Sequence, residues 1–312
     1  MKQILQTIKN RLFKKRTAEP VLPQTEEAEA PKPKKKPSIF ARVFPKVMMV
    51  IFAGTFILAG VQLLKNNKQA NERDSLYTEL ADVAVTPVVP KPNSSISGNS
   101  NNQNPDGSQQ DDLSEELLSP DGYSLNYSPI AVDFDYLQKK NPDIMAWIYC
   151  PGTPISYPVV RGTDNEYYLN RLIDGTVNKS GSIFADCRNR VDFTDPHTII
   201  YGHNMKDMSM FGSVGKYSSQ EYYDAHPVWY INTPEKNYAV HILAGHTTAP
   251  NAELYAFKGT LEEPQEILRY ALSKSAFQSK TAAVPGEPLV TFSTCHGNSR
   301  RFVLLGVLRE IG

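Results

Sequence analysis

One uncharged apolar run, Val47 to Leu64, restricts what the N-terminal part of this chain can fold into. Its length is close to the roughly 20 residues that a helix needs to cross a bilayer. The stretch before it is rich in Lys and Arg, whereas the stretch after it is mixed, so the positive-inside rule predicts a cytoplasmic N-terminus. A cleaved signal peptide is the competing interpretation. The long basic leader and the lack of a small-x-small cleavage site favour a retained anchor, with everything after Leu64 outside the plasma membrane.

The composition fits one or two globular domains. The chain has 312 residues, of which 40% are hydrophobic and 21% charged, and its formal net charge is zero, so nothing global indicates nucleic acid as a partner. Cys150, Cys187 and Cys295 are too few for a disulfide framework, and their odd number leaves at least one thiol unpaired. None of them has C-x-x-C spacing, so we expect no metal site.

The change in composition along the sequence predicts four regions. Residues 1–46 form a basic cytoplasmic leader and residues 47–64 the transmembrane anchor. Residues 65–118 form an extracytoplasmic stalk and linker, in which Glu72 to Val85 has the character of a short helix. Thr86 to Asp112 is so rich in Pro, Asn, Ser and Gly that we expect a flexible tether. Residues 119–312 form the globular domain.

The sequence of the globular domain predicts mostly β structure. Short runs rich in Val, Ile, Tyr, Phe and Thr are separated by Gly, Pro, Asn and Asp, a pattern typical of a small barrel or sandwich. A helix that breaks before Pro142 precedes a strand around Ala146 to Cys150. A second helical pattern, Leu261 to Lys280, is inserted before the last two strands. The remaining strand-like runs are ISYPVV, GSIFADC, HTIIYGH, VWYINT, YAVHILAG, PLVTFSTC and RFVLLGVL.

Cys295 lies at the end of one of these runs, and Arg301 begins the next. Strand alternation puts Leu289, Thr291, Ser293 and Cys295 on one face. The five intervening residues suit a hairpin, which would bring Cys295 beside Arg301 at one rim. A guanidinium there favours the thiolate and can donate to an oxyanion, which indicates a nucleophilic cysteine.

Such a nucleophile needs a proton donor for its leaving group, and histidine is the usual one near neutral pH. His203 follows an apolar strand and a glycine, which places it at a strand end. His246 has nearly the same context and is the runner-up, while alternation points His296 away from its neighbour Cys295. Structural roles are the simpler interpretation for the remaining histidines, which are His197, His226 and His241.

Several motifs in order resemble the class B sortases, the transpeptidases of Gram-positive cell surfaces. They are WIYCPGTPISYPVVRGTDNEYYL, GSIFADCRN, TIIYGHNMKDMSMFGSVGKY and TFSTC…RRFVLLGVL, and the resemblance runs from about Asp135 to Leu308. It implies a closed sortase-type β-barrel with peripheral helices, one of them inserted before the cysteine strand. The N-terminal transmembrane helix and tether also match the family's arrangement.

The resemblance further implies a catalytic trio of Cys295, His203 and Arg301. Cys295 would attack the carbonyl after threonine in the sorting motif of a surface protein, and Arg301 would hold the motif and the oxyanion. His203 would protonate the departing amine. An amine of peptidoglycan or of its lipid-linked precursor would then resolve the thioester and anchor the surface protein to the cell wall. No metal or organic cofactor is implied.

Some alternatives stay open. Arg300 is a second source of the guanidinium, although the register favours Arg301, and Cys150 could pair with Cys187. A secreted cysteine hydrolase would release the acyl group to water, and a pilin-polymerising sortase would transfer it to a lysine of another protein. A non-catalytic wall-binding module would need no thiol at position 295.

Overall fold

The computed structural model describes residues 39–88, 126–256, 263–296 and 300–312, without the side chains of residues 41, 42, 263, 295 and 296. The basic leader up to residue 38 and most of the predicted tether lie outside these ranges. The four predicted regions therefore stay a prediction. The chain divides into two compact units, Met1–Ala59 and Gly60–Gly312.

Helix α1, Ile39–Ala84, contains all of the described part of the first unit. Within this unit the helix has exposed large apolar side chains, including Phe52, Phe56 and Leu58. Over Val43–Ala84 it is long and apolar enough to cross a membrane by length and composition, and none of its most apolar window is buried. A candidate membrane span is therefore present where the apolar run predicts one.

In the second unit, α1 continues without a break through the predicted short helix and ends at Ala84. Tyr77, Leu80 and Ala84 are buried and belong to the main hydrophobic core. Strand β1, Val85–Pro87, follows directly and pairs antiparallel with β2, Ile130–Val132. The C-terminal end of α1 is therefore part of the folded domain.

Eight further strands form a closed barrel in the order β10-β8-β7-β3-β4-β5-β6-β9. The strands are β3 Ile144–Tyr149, β4 Ser156–Val160, β5 Ile183–Ala185, β6 His197–Gly202, β7 Val228–Asn232, β8 Asn237–Thr248, β9 Leu289–His296 and β10 Arg300–Ile311. The helices are α2 Phe134–Lys140, α3 Gln220–Ala225 and α4 Glu263–Lys274. The described residues also form short 3-10 helices at Tyr168–Asn170, Val214–Ser218 and Glu253–Tyr255.

Two parallel pairs close the barrel, β4 with β5 and β6 with β9, while the other neighbours are antiparallel. Closure removes the exposed strand edges that a sandwich would keep. Of the two architectures that the strand pattern left open, the barrel is confirmed, as the family resemblance implies.

The two faces of β9 pack into different hydrophobic clusters. Val290 and Phe292 point into the barrel, where the Phe292 ring stacks on Trp229 with centroids 4.4 Å apart. Leu289 points outward into a second cluster, which includes Ile267 and other residues of α4. The predicted alternation along β9 is thereby confirmed for its described side chains.

Helix α4 is shorter than the predicted Leu261 to Lys280, whose first two residues lie outside the described ranges. It ends at Lys274, and the interpretation of the last turn as helix is wrong. The Ser275 hydroxyl accepts from the amide of Gly245 on β8, and Phe277 stacks on Tyr223 with centroids 4.4 Å apart. These tertiary contacts draw the chain out of the helix, although Ala276 continues its apolar period.

Candidate active site

The backbones of three neighbouring strands bring the predicted trio to one rim of the barrel. Arg301 on β10 is the register partner of Cys295 on β9, as the hairpin prediction requires. On the other side of β9, Gly202 of β6 is the partner of Thr294, so His203 follows one position beyond the last parallel pair. Neighbouring strands lie about 4.8 Å apart. Residue positions 203, 295 and 301 are therefore adjacent in the backbone.

The imidazole of His203 is held by a backbone carbonyl. It is half-buried, and its Nε2 lies 2.7 Å from the carbonyl oxygen of Leu169 in the Tyr168–Asn170 turn. A carbonyl can only accept, so Nε2 donates its proton to Leu169 and Nδ1 is left to exchange a proton elsewhere. This bond fixes both the orientation of the ring and its tautomer.

The runner-up histidine occupies a different position. His246 on β8 pairs with Val303, and Val303 pairs with Ser293, so strand β10 separates His246 from the cysteine strand. Two strand spacings place its backbone about 10 Å from β9. It is buried, neither ring nitrogen has a hydrogen-bond partner among the described residues, and burial lowers its pKa to about 4.

Two other histidines have the structural contacts expected of them. His197 Nε2 lies 2.8 Å from the Thr291 hydroxyl, and His226 Nδ1 donates to the carbonyl of Pro151 at 3.0 Å. His241 is buried within β8. The side chain of His296 lies outside the described residues, so its predicted orientation stays untested.

The two arginines of the hairpin differ in environment. Arg301 is half-buried, and its partner in the neighbouring strand β8 is Thr248. Arg300 is exposed and is the register partner of His296. Because side chains alternate along a strand, positions 300 and 301 face opposite sides of β10, and Arg301 is the one paired with Cys295.

A polar network supports the strand ends beside the site. The buried carboxylate of Asp186 accepts from the Tyr201 hydroxyl at 2.9 Å and from Arg188 at 2.7 Å. Burial raises the pKa of Asp186, but the bonds from Arg188 and Tyr201 outweigh it and hold this pKa below its ordinary value. The Tyr201 ring stacks on Tyr255, whose hydroxyl lies 2.7 Å from the Ser293 hydroxyl.

A groove of about 500 Å³ lies on the outer face of the barrel, between β8 and α4. Arg300, which is part of its lining, is the register partner of His296, the residue after position 295. Glu253, Glu266 and Arg300 contribute charged groups to its lining, and Ile267 and Tyr270 contribute apolar surface. The lining is completed by His246, Thr247, Thr248, Ala249, Ala252 and Leu254.

The other two cysteines are both free thiols, so the pairing that the sequence left open does not occur in the structure. Cys150 is fully buried, and burial raises the pKa of its thiol to about 12, which makes it unreactive at neutral pH. Cys187 is half-buried. Within the described ranges, no three His, Cys, Asp or Glu side chains group closely enough to hold a metal ion.

Sequence reasoning missed the support of His203. The acceptor is the backbone carbonyl of Leu169, and any residue type at position 169 would provide the same group. The one available signal was Gly181, which has a φ of +56°. A Cβ there would lie 2.4 Å from the Leu169 oxygen, so only glycine allows this close approach.

Comparison with known proteins places this geometry in a family. Sortase B of Listeria monocytogenes serovar 1/2a (strain ATCC BAA-679 / EGD-e) is 35% identical over 162 residues, which are 51% of this chain and 65% of that protein, just under two thirds. Sortase B of Staphylococcus aureus (strain NCTC 8325 / PS 47) is 31% identical over 174 residues, which are 55% of this chain and 71% of that protein. The chain belongs to the sortase B family. No family model matches it.

Solved class B sortases share its fold. A Staphylococcus aureus sortase B–substrate complex superposes with a TM-score of 0.55 at 27% identity, covering 57% of this chain and 85% of that one. A Bacillus anthracis protein described as similar to sortase B gives a TM-score of 0.53 at 35% identity, covering 57% and 83%. The matched part, 57% of this chain, is about as long as the barrel domain of this class B sortase.

Proposed function

We propose that this chain is a membrane-anchored cysteine transpeptidase that joins surface proteins to the cell wall, with Cys295 as nucleophile. The observation that carries the proposal is the backbone register, in which Arg301 pairs with position 295 and His203 follows Gly202, the β6 partner of Thr294. A nucleophile, a proton carrier and a cation on three adjacent strands can act on one carbonyl group. Membership of a family of cysteine transpeptidases supports the same activity.

The first half-reaction forms a thioester. The Cys295 thiolate attacks the carbonyl carbon after threonine in the sorting motif, and the Arg301 guanidinium donates to the oxyanion of the tetrahedral intermediate. The carbon–nitrogen bond then breaks. Nδ1 of a protonated His203 gives its proton to the departing amine, while Nε2 keeps its bond to the Leu169 carbonyl.

The second half-reaction transfers the acyl group. An acceptor amine attacks the thioester carbon and loses a proton to Nδ1 of His203, and the Cys295 thiolate leaves. Two solved relatives support these partners, since one holds a substrate and another, a sortase B, is complexed with triglycine. For this chain we propose a sorting peptide as donor and an amine of peptidoglycan or its precursor as acceptor.

The groove between β8 and α4 is the proposed binding site for the sorting motif. Arg300 of its lining is the register partner of His296, so a peptide lying along the groove would present its scissile carbonyl to the neighbouring position 295. Glu253 and Glu266 would contact polar or basic groups of the peptide, whereas Ile267 and Tyr270 would cover its apolar parts. No cofactor takes part in either half-reaction.

The candidate span and the charge around it support a location at the plasma membrane. The basic leader before the apolar run supports a cytoplasmic N-terminus, with the barrel on the outer face of the plasma membrane. The span would keep the enzyme at the surface through which its substrates are exported. Protease added to intact cells should then digest an epitope at the C-terminus but not one at the N-terminus.

A product assay tests the activity. The full chain in detergent is incubated with a library of threonine-containing sorting peptides, with and without triglycine as acceptor, and the products are identified by mass spectrometry. We expect a threonyl-triglycine product from the wild type and none from Cys295→Ala, with Cys187→Ala as the matched thiol control. Hydrolysis that no acceptor amine diverts would indicate a hydrolase instead.

A further inference from the structure

The C-terminal half of α1 contacts both segments that support His203. We propose that three of its residues, Gln69, Arg73 and Tyr77, which we call the brace, position the His203 imidazole for proton transfer. One segment is the turn formed by residues 178–182, and the other is the loop formed by residues 204–210. This inference rests on the proposed role of His203.

Arg73 joins the brace to both segments. Its side chain is only 3% exposed, although it carries a charge, so it needs partners in the folded domain. Nη2 donates to Asp207 in the loop at 3.0 Å, and Nη1 donates to Ser180 in the turn at 3.2 Å. Nε donates to Asp74 at 2.8 Å. One guanidinium therefore holds the two segments at a fixed separation.

The turn has two further contacts with the brace. The Asn178 side-chain amide donates to the backbone carbonyl of Gln69 at 2.7 Å, and the Tyr77 hydroxyl donates to the Ser182 hydroxyl at 3.2 Å. Asn178 and Ser182 are fully buried. The turn is thus tied to α1 at its beginning, middle and end, which leaves it little freedom to move.

The turn in its place holds the acceptor of the imidazole. The Ser182 amide donates to the Tyr168 carbonyl at 2.9 Å, and Gly181 packs directly on the backbone of Leu169. The Leu169 carbonyl then accepts from His203 Nε2. A continuous series of contacts therefore runs from α1 through the turn to the ring that would carry the proton.

The loop fixes the backbone of the same histidine. The His203 carbonyl accepts from the amides of Met205 and Phe211, at 3.2 and 3.0 Å, which closes the loop on itself. Asp207 accepts from the Ser209 hydroxyl at 2.6 Å within the loop and from Arg73 outside it. Both the backbone and the imidazole of His203 thus depend on contacts that end on the brace.

The test separates proton transfer from the other steps of acylation. An amide substrate needs a proton on its leaving amine, whereas an aryl thioester of the same peptide acid releases a stable thiolate and needs none. Single-turnover release of each leaving group is measured for the wild type, Arg73→Met and Asp207→Asn. Because the same folded fraction acts on both substrates, the ratio of the two rates does not depend on how much of a variant folds.

We expect the amide rate at saturation to fall about tenfold to a hundredfold in Arg73→Met, the range for a small misplacement of a reacting group. The thioester rate and both half-saturation concentrations should stay within about twofold of wild type. Arg73→Lys keeps a cation facing Asp207 and should recover part of the loss. Lys236→Met, which removes an exposed ion pair with Glu310 at the opposite end of β10, is the matched control.

An unchanged rate ratio in both Arg73→Met and Asp207→Asn would overturn the inference, whatever their stability. That result with an active wild type would leave the proposed transpeptidase standing. A wild type that cleaves neither substrate would instead contradict the proposed function, so the two failures can be told apart.

Discussion

Replacing Gly181 by alanine should weaken both the fold and the proton transfer. Gly181 has a φ of +56°, where an L-residue costs about 1–2 kcal/mol. Its new Cβ would lie 2.4 Å from the Leu169 oxygen and 2.8 Å from the Tyr168 oxygen, both of them backbone atoms that cannot rotate away. Ordinary contact begins near 3.4 Å, so the Leu169 carbonyl must move by about 1 Å. That shift is enough to break or misalign its 2.7 Å bond with His203.

Gly286 offers a matched control for this substitution. It also has a left-handed φ, +94°, but a Cβ there would meet no atom of the described residues within 4 Å. Gly286→Ala should therefore show the cost of backbone strain alone, whereas Gly181→Ala adds the displacement of the carbonyl. We expect Gly181→Ala to lower the free energy of unfolding by about 1–3 kcal/mol more than the control.

The assay combines urea denaturation with the paired amide and thioester substrates. Gly181→Ala should lower the ratio of amide to thioester acylation rates, and Gly286→Ala should leave this ratio at the wild-type value. If the two variants were equally stable and shared the wild-type ratio, the packing of Gly181 on Leu169 would have no part in holding His203.

Three further results are expected. His203→Gln should lower the amide acylation rate by about 10²–10⁴-fold. His246 lies one strand farther from the cysteine strand, so His246→Gln should change this rate less than tenfold. Equal losses in the two variants would indicate that His246 can be the proton carrier. Arg301→Met should lower the same rate by about 10²–10³-fold, and Arg300→Met should lower it only a few-fold. The reverse order would indicate that Arg300 contacts the oxyanion. Asp186 has a lowered pKa in the folded state, so its contribution to stability is present above the unfolded value of about 3.9 and is lost as the pH falls through the folded pKa. Urea titrations from pH 7 to pH 3 should accordingly show the stability difference between wild type and Asp186→Asn shrinking in acid, and a constant difference would contradict this.

Local patterns predicted the parts of the fold that depend on local physics. Alternation along Leu289 to Cys295 and the length of the following turn predicted the register of Cys295 with Arg301, and the structure confirms it. The helix before Pro142 likewise ends at Lys140, because the residue before a proline avoids the helical conformation. In each of these cases, neighbouring residues in sequence decide the structure.

Long-range contacts decided the rest. The parallel pairing of β6 with β9 makes His197 the register partner of Leu289. A short sequence pattern cannot predict a partner that is so distant in sequence. Phe277 leaves the predicted helix because its ring stacks on Tyr223 of another element. The support of His203 is a backbone carbonyl group, which every residue has, so Gly181 was its one indirect signal in the sequence.

Mass spectrometry of the trapped acyl-enzyme tests the central claim most directly. The wild-type chain is mixed with a cleavable sorting peptide, quenched in acid, digested and mapped. We expect an added acyl group that ends in threonine on the peptide containing Cys295, accumulating without an acceptor and disappearing when triglycine is added. An acyl group on Cys187 or Cys150, or turnover with no acyl group on Cys295, would contradict the account.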